Sequence, residues 1–121
     1  MMAMQYQGYG GPDLLKPAEL PVPRPAASQL LVRVAASSVN PVDWKLHNGQ
    51  YRWIMPVKFP STPGFDLAGE VIEVGTQVTH FKPGDRIFAM LDRRPGGANA
   101  EYVVVGESAA ARLPANLTAQ E

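Results

Sequence analysis

From Gln29 to Ser38 (QLLVRVAASS) the chain follows a period-two pattern. Leu30, Val32 and Val34 fall on one side and Leu31, Arg33 and Ala35 on the other, which predicts a strand. Asp66 to Val74 (DLAGEVIEV) is rich in β-branched and small residues and predicts a second strand, with a tight spot at Gly69 and an end at Gly75-Thr76. Val78 and Phe81 lead from there to the turn Lys82-Pro83-Gly84-Asp85. In that turn Pro presets φ and Gly accepts a positive φ. Arg86 to Met90 (RIFAM), Ala100 to Val105 (AEYVVV) and Ala109 to Leu113 read as further strands.

The N-terminal end reads as a hairpin. Ala3 to Gln7 is a strand stopped by Gly8, Gly10, Gly11 and Pro12, and Leu14 to Leu20 pairs back across that turn. Pro21, Pro23 and Pro25 make an extended connector. One segment breaks the β pattern. Pro41 to Asn48 (PVDWKLHN) has Pro at a first helical position, Asn40 at the N-cap and Gly49 as the stop. Gln50 to Thr62 reads as an irregular loop carrying Tyr51, Trp53, Met55 and Phe59, and Leu91 to Ala98 as a polar loop with Arg93 and Arg94. Twelve prolines and eleven glycines are spread over the whole length, punctuating short apolar runs, so the expected class is all-β with short helices.

Composition narrows the partners. The 121 residues suffice for one domain with a core. Lys plus Arg and Asp plus Glu both number 11, so the formal charge is zero. No electrostatic footprint for nucleic acid follows, and an anionic membrane is disfavoured as a partner. No apolar run approaches the roughly 20 residues of a membrane span, and MMAMQYQGYGG does not read as a signal peptide. There is no cysteine, which excludes disulfides and thiolate metal sites and fits a cytoplasmic protein. Gly8-Tyr9-Gly10-Gly11 lacks the third glycine and the following helix of a dinucleotide fingerprint. His47 and His80 have no ligand-spaced partner and are expected as exposed or capping side chains.

The ordered strings Val39-Asn40-Pro41-Val42-Asp43, PGFDLAGEVIEVG (63–75), FKPGDRIF (81–88) and GGANAEYVVV (96–105) resemble the catalytic domain of medium-chain dehydrogenases/reductases. The resemblance runs through residues 2 to 119. It implies a GroES-like, partly open β-barrel with short helices, followed in the family by a Rossmann dinucleotide-binding domain. The chain is therefore expected to be the catalytic half (1–121) of a larger enzyme and inactive alone. Zinc-dependent members place a Cys before the short helix and a His in a G-H-E triplet. Here those slots hold Asn40 and Gly64-Phe65-Asp66, so no metal is expected and the zinc-independent quinone oxidoreductase-like branch fits best.

In that branch the Asn lies beside the nicotinamide and the substrate carbonyl. Asn40 is thus the first candidate: its amide donates to an oxygen whose charge grows as hydride arrives, without changing protonation state. It is also a plausible plain N-cap, and the two roles are compatible. Tyr51 matches a family Tyr lining the cleft, or else is a packed loop anchor. Asp43 orients neighbours or contacts substrate, or merely favours the first turn of the helix. Lys45 stands where many quinone reductases have Tyr; it offers a charged donor to an enolate or a cofactor phosphate, or is a solvated helix-face Lys. Trp44 is expected to anchor the helix, and Trp53 and Phe59 to be core or lid aromatics. The resemblance implies NADPH, held mainly by the absent domain, with Asn40 and Lys45 touching it, and a quinone or enone as the small-molecule substrate. It leaves a homo-oligomer open. The alternative is a non-catalytic co-chaperonin-like binding or assembly module.

Overall fold

A computed structural model describes residues 1–91 and 96–121 of the chain. The expected Leu91–Ala98 loop therefore lies partly outside the described residues, with Arg93 and Arg94 among those not described. Strands β1 (Met2–Tyr6) and β2 (Leu15–Glu19) form the expected antiparallel hairpin, from Met2 opposite Glu19 to Tyr6 opposite Leu15. Its turn tightens into a 3₁₀ turn at Pro12–Leu14. After the proline connector come β3 (Gln29–Ser37), helix α1 (Pro41–His47), β4 (Asp66–Val74), β5 (Arg86–Met90), β6 (Tyr102–Gly106) and β7 (Ala110–Arg112).

Five strands make one antiparallel sheet in the order β6-β3-β4-β5-β7. β6 and β7 occupy opposite edges yet follow each other in the chain, so the sheet must curl. Among the described residues, isolated bridges tie the hairpin to segments flanking that sheet, Ala3 to Ala100 before β6 and Tyr6 to Ser61 before β4. Main-chain bonds from Met4 N–H to the Asn99 carbonyl (2.9 Å) and from Glu101 N–H to the Met2 carbonyl (3.0 Å) reinforce that seam. The two sheets do not close into one ladder, and the result is the expected all-β, partly open GroES-like barrel.

Leu30, Val32, Leu67, Val71, Ile87, Ala89, Val103 and Val105 line the inner face and form the main core. The alternation of β3 fails at one place: Leu31 is buried as well. There the register with β4 shifts, so that Leu31 faces Glu73, Val32 faces Val71, and Ile72 is left outside the ladder. Gly69 is obligatory. A Cβ there would land on the Arg33 carbonyl oxygen and touch the Val32 Cγ1 at 2.9 Å. The tight spot in the sequence is thus the close approach of β4 to β3.

The turn before β5 is built by charge. Gly84 takes φ +97° as expected. The Asp85 carboxylate accepts from Lys82 N–H (3.0 Å), Lys82 Nζ (2.7 Å) and Arg112 Nη1 (3.0 Å), tying the turn to β7. The Lys82 ammonium, the Lys82 N–H and the Arg112 guanidinium hold the Asp85 carboxyl at about 2, down from 3.8, against an opposing effect of its burial.

Two outcomes follow. Gly69→Ala should destabilise the domain by about 3 kcal/mol, because backbone, not a flexible side chain, must move; chemical denaturation measures it. For Asp85 the folded value lies below the unfolded one. Its contribution is therefore complete above about pH 4 and is lost as pH falls towards about 2. Thermal melts should lose stability across that window, and Asp85→Asn should flatten the loss.

Candidate functional site

Helix α1 sits where β3 hands over to β4, and its orientation is set by one buried acid. Asp43 is 3% exposed. Its Oδ2 accepts the Asn40 N–H at 2.7 Å, the acid's half of a capping box, while the Asp43 N–H donates to the Asn40 carbonyl at 2.9 Å. Its Oδ1 accepts the Gly64 N–H at 3.0 Å. Gly64 lies at φ +102°, and a Cβ on it would run into Asn99. Both oxygens of Asp43 are spent on main chain, one on the helix and one on the loop entering β4. Of its two sequence readings, the geometry matches the orienting one.

That clamp brings Asn40 to Asp66, the first residue of β4. Asn40 Nδ2 donates to Asp66 Oδ2 at 2.6 Å, and the Ser38 hydroxyl reaches the same oxygen at 3.3 Å. A carboxylate only accepts, so the contact fixes which end of the Asn40 amide is nitrogen. One N–H of that amide is used and the second is available. The partner of Asn40 lies 26 positions away, and the sequence marked Asp66 only as an insufficient metal ligand.

Ser38 and Asp66 also stand on the wall of an open cavity of about 750 Å³, together with Ala68, Phe88, Met90 and Leu117. Its lining is mostly apolar, and Phe88 and Met90 are 46% and 66% exposed towards solvent. Ser38 and Asp66 are the polar groups on this wall, and Asn40 reaches it through its bond to Asp66.

The other candidates are placed differently. Tyr51 is half-buried in the turn after α1, where its carbonyl accepts from Ile54 N–H (3.0 Å) and Met55 N–H (2.7 Å). It stands at the end of α1 opposite to Asn40, roughly 10 Å away along a seven-residue helix. Lys45 is half-buried, its Nζ 5.6 Å from the centroid of the Trp44 ring.

Two expectations need correction. Trp44 does not anchor the helix; it is 46% exposed. The inward positions are Asp43, Leu46 and His47, spaced i, i+3, i+4, and Trp44 projects from another side. Leu46 packs with Val57 and Phe65, and with Tyr9, Met55 and Phe59, so Phe59 is a core aromatic. Of the two readings of Trp53, core or lid aromatic, its 87% exposure removes the core one. His47 is neither exposed nor a cap. It is fully buried, stacked on Tyr6 with centroids 4.4 Å apart, and its Nδ1 and Nε2 meet the Asp43 carbonyl (2.7 Å) and the Ser61 hydroxyl (2.6 Å). A neutral ring protonated on Nδ1 satisfies both, because the carbonyl only accepts and the hydroxyl can donate. Burial first, then the negative charges of Asp43 and Asp13, push the Tyr6 phenol up. His80 is exposed, as expected.

Among the described residues no three His, Asp or Glu side chains cluster as metal ligands, and none of the helices is long and apolar enough to cross a membrane. The fit to a dinucleotide is partial. The Asn40 amide and the Lys45 ammonium can meet its polar groups, but none of the described elements is a glycine-rich strand-to-helix turn for its phosphates.

The alcohol dehydrogenase GroES-like domain model matches residues 26–115. A chloroplastic quinone-oxidoreductase homologue of Spinacia oleracea is 45% identical over the whole chain, which spans 37% of that protein. A quinone oxidoreductase of Lama guanicoe is 37% identical, again over the whole chain and 36% of its own length. The crystal structure of Escherichia coli quinone oxidoreductase complexed with NADPH superposes with a TM-score of 0.90 at 29% identity, covering 99% of this chain and 35% of that one. The chain thus spans little more than a third of the relatives it matches. The chloroplastic setting named for the spinach protein does not fit a plain cytoplasmic expectation. With residues 26–115 matched by the family model and the whole chain aligned to quinone oxidoreductase homologues, the chain belongs to the alcohol dehydrogenase GroES-like domain family, on its quinone oxidoreductase-like side.

Proposed function

We propose that this chain is the substrate-side domain of an NADPH-dependent, zinc-independent reductase of quinones or α,β-unsaturated carbonyls. The observation that carries the reading is the Asn40 amide, locked by Asp66, which itself lines a mostly apolar cavity. Relatives described as quinone oxidoreductases and as an NADPH-dependent alkenal/one oxidoreductase of Arabidopsis thaliana (36% identical) support the substrate class and the cofactor. Zinc independence is supported by the chemistry of the donor set. Asn40 and Phe65 replace the family's Cys and His, and the Asp66 carboxylate beside Asn40 is already engaged by an amide and a hydroxyl.

NADPH, when bound, supplies the hydride; everything else asked of this chain is position and electrostatics. Asn40 donates its second N–H to the substrate carbonyl oxygen, where negative charge grows. Asp66 and Ser38 hold the amide in that orientation. Asp43 is a positioning residue, since both its oxygens serve main-chain donors. Lys45 offers a cation to an enolate or a cofactor phosphate, and Tyr51 a wall of the cleft once the second domain completes it. Most of the cofactor surface belongs to a separate Rossmann domain, so the 121 residues alone do not turn over. An oligomer formed through that second domain is compatible with this division.

Trp44 and Trp53 are both solvent-exposed and report on ligands by fluorescence. NADPH titrated into the 121-residue chain should show no saturable quenching up to millimolar concentration; micromolar binding would refute the split site. Grafted in place of the matching third of the Escherichia coli enzyme, the chain should reduce a quinone with NADPH. In that chimera Asn40→Ala should lower kcat by about 10²-fold, as loss of one oxyanion donor does. Asp66→Asn should lower kcat by about tenfold and leave KM within about twofold, the mark of a group that acts through Asn40.

A further inference from the structure

The segment that carries Asn40 has little of its own to hold it. Ser37 is the last rung of β3 against β4, paired with Leu67 beyond the register shift between Val34 and Ala36. There the chain leaves the sheet. Ser37, Ser38 and Val39 are all exposed, Val39 at 71%. Among the described residues, outside the ladders and α1, no main-chain hydrogen bond reaches Ser38 or Val39. A strand end without packing or main-chain partners frays. Side-chain bonds therefore decide where this segment, and Asn40 at its end, comes to rest.

Three side-chain pairs meet it. Two run from Ser38 and Asn40 to Asp66, the Ser38 one long at 3.3 Å. The third is short: the Ser37 hydroxyl donates to Asn99 Oδ1 at 2.7 Å, across 62 positions of sequence. Asn99 is a fixed post. Its N–H donates to the Pro63 carbonyl (3.0 Å), and its carbonyl accepts the Met4 N–H (2.9 Å). Its side chain also fills the space beside Gly64, where a Cβ would lie 2.7 Å from Asn99 Oδ1 and 2.9 Å from its main-chain nitrogen. The neighbouring Ala98 N–H donates to the Gly64 carbonyl at 3.0 Å. Gly64 in turn gives its own N–H to Asp43.

Two routes to Asn40 thus meet in one residue. On the β3 side Asn99 holds Ser37, three positions before Asn40. On the β4 side it packs against Gly64, the far anchor of the Asp43 clamp. We propose that Asn99 is a positioning residue for Asn40, pinning the 37–40 segment through the Ser37 hydroxyl and steadying the Asp43 clamp through Gly64. Its part in the reaction rests on the reading of Asn40 as the donor to the substrate oxygen; its part in placing Asn40 does not. A hydroxyl both donates and accepts, so the Ser37–Asn99 bond survives a turn of the amide and ends only when one partner is removed.

The test follows solvent exchange of the Asn40 side-chain amide by NMR in the isotope-labelled 121-residue chain. Ser37 is exposed, so Ser37→Ala spares the packing beside Gly64. It should speed that exchange about fivefold, the weight of one hydrogen bond, with the denaturation midpoint and the slow Gly64 N–H unchanged. Ser37→Thr keeps the hydroxyl and should return the rate to within about twofold of wild type. Asn99→Ala should free the Asn40 amide at least as much and the Gly64 N–H with it, and adding Ser37→Ala to it should change nothing more. In the chimera Ser37→Ala should lower kcat about fivefold with KM within about twofold, and Ser37→Thr should restore it. An Asn40 amide freed with kcat unchanged would uphold the positioning and refute the oxyanion reading. An Asn40 amide as slow in Ser37→Ala and Asn99→Ala as in wild type, or one that Ser37→Thr leaves fast, would overturn the proposal.

Discussion

One buried carboxylate organises the working end of this barrel. Asp43 binds the first turn of α1 with one oxygen and the Gly64 amide with the other. Burying an unpaired carboxylate is costly, so the two donors are held as firmly as the acid is. The helix has only seven residues and could not persist by propensity. It is kept by this clamp, by the Leu46 cluster below it, and by His47 between the Asp43 carbonyl and Ser61.

The clamp has a chemical consequence. It sets the Asn40 side chain against Asp66 and so chooses the face on which the amide offers its remaining N–H. On the proposed reading, the metal-ligand slots of zinc-dependent members fall at Asn40 and Phe65. Here no such pair of ligands stands there, and the Asn40 amide is instead preorganised by its bond to Asp66, which lines the apolar cavity. Preorganisation matters because a donor already aimed at the developing charge does not reorient during the reaction.

The backbone was largely legible in the sequence. The hairpin, β4 with its tight glycine, the Lys82–Asp85 turn and the capped short helix all follow from local chemistry that the fold retains. What was not legible depended on partners distant in the chain. The helix exposes Val42 and Trp44 and buries Asp43 and His47, because its inward neighbours are a Gly64 amide, a Tyr6 ring and a Ser61 hydroxyl, all supplied by other elements. Hydrophobicity alone assigned the anchor to Trp44, and seven residues hold too few turns for periodicity to correct it. The Asn40–Asp66 bond joins residues on separate elements, and Asp66 looked idle until the fold placed it.

Amide hydrogen exchange on the chain, comparing wild type with Asp43→Asn, tests the clamp most directly. An Asn keeps one acceptor oxygen where the acid has two. The account predicts that exchange at Asn40 and Gly64 accelerates together, that the Asn40 side-chain amide loses its protection, and that the β3–β4 ladder at Val32 and Val71 stays slow. Faster exchange confined to α1, with Gly64 and the Asn40 side chain unchanged, would mean that Asp43 is only a helix cap and that the site is held by something else.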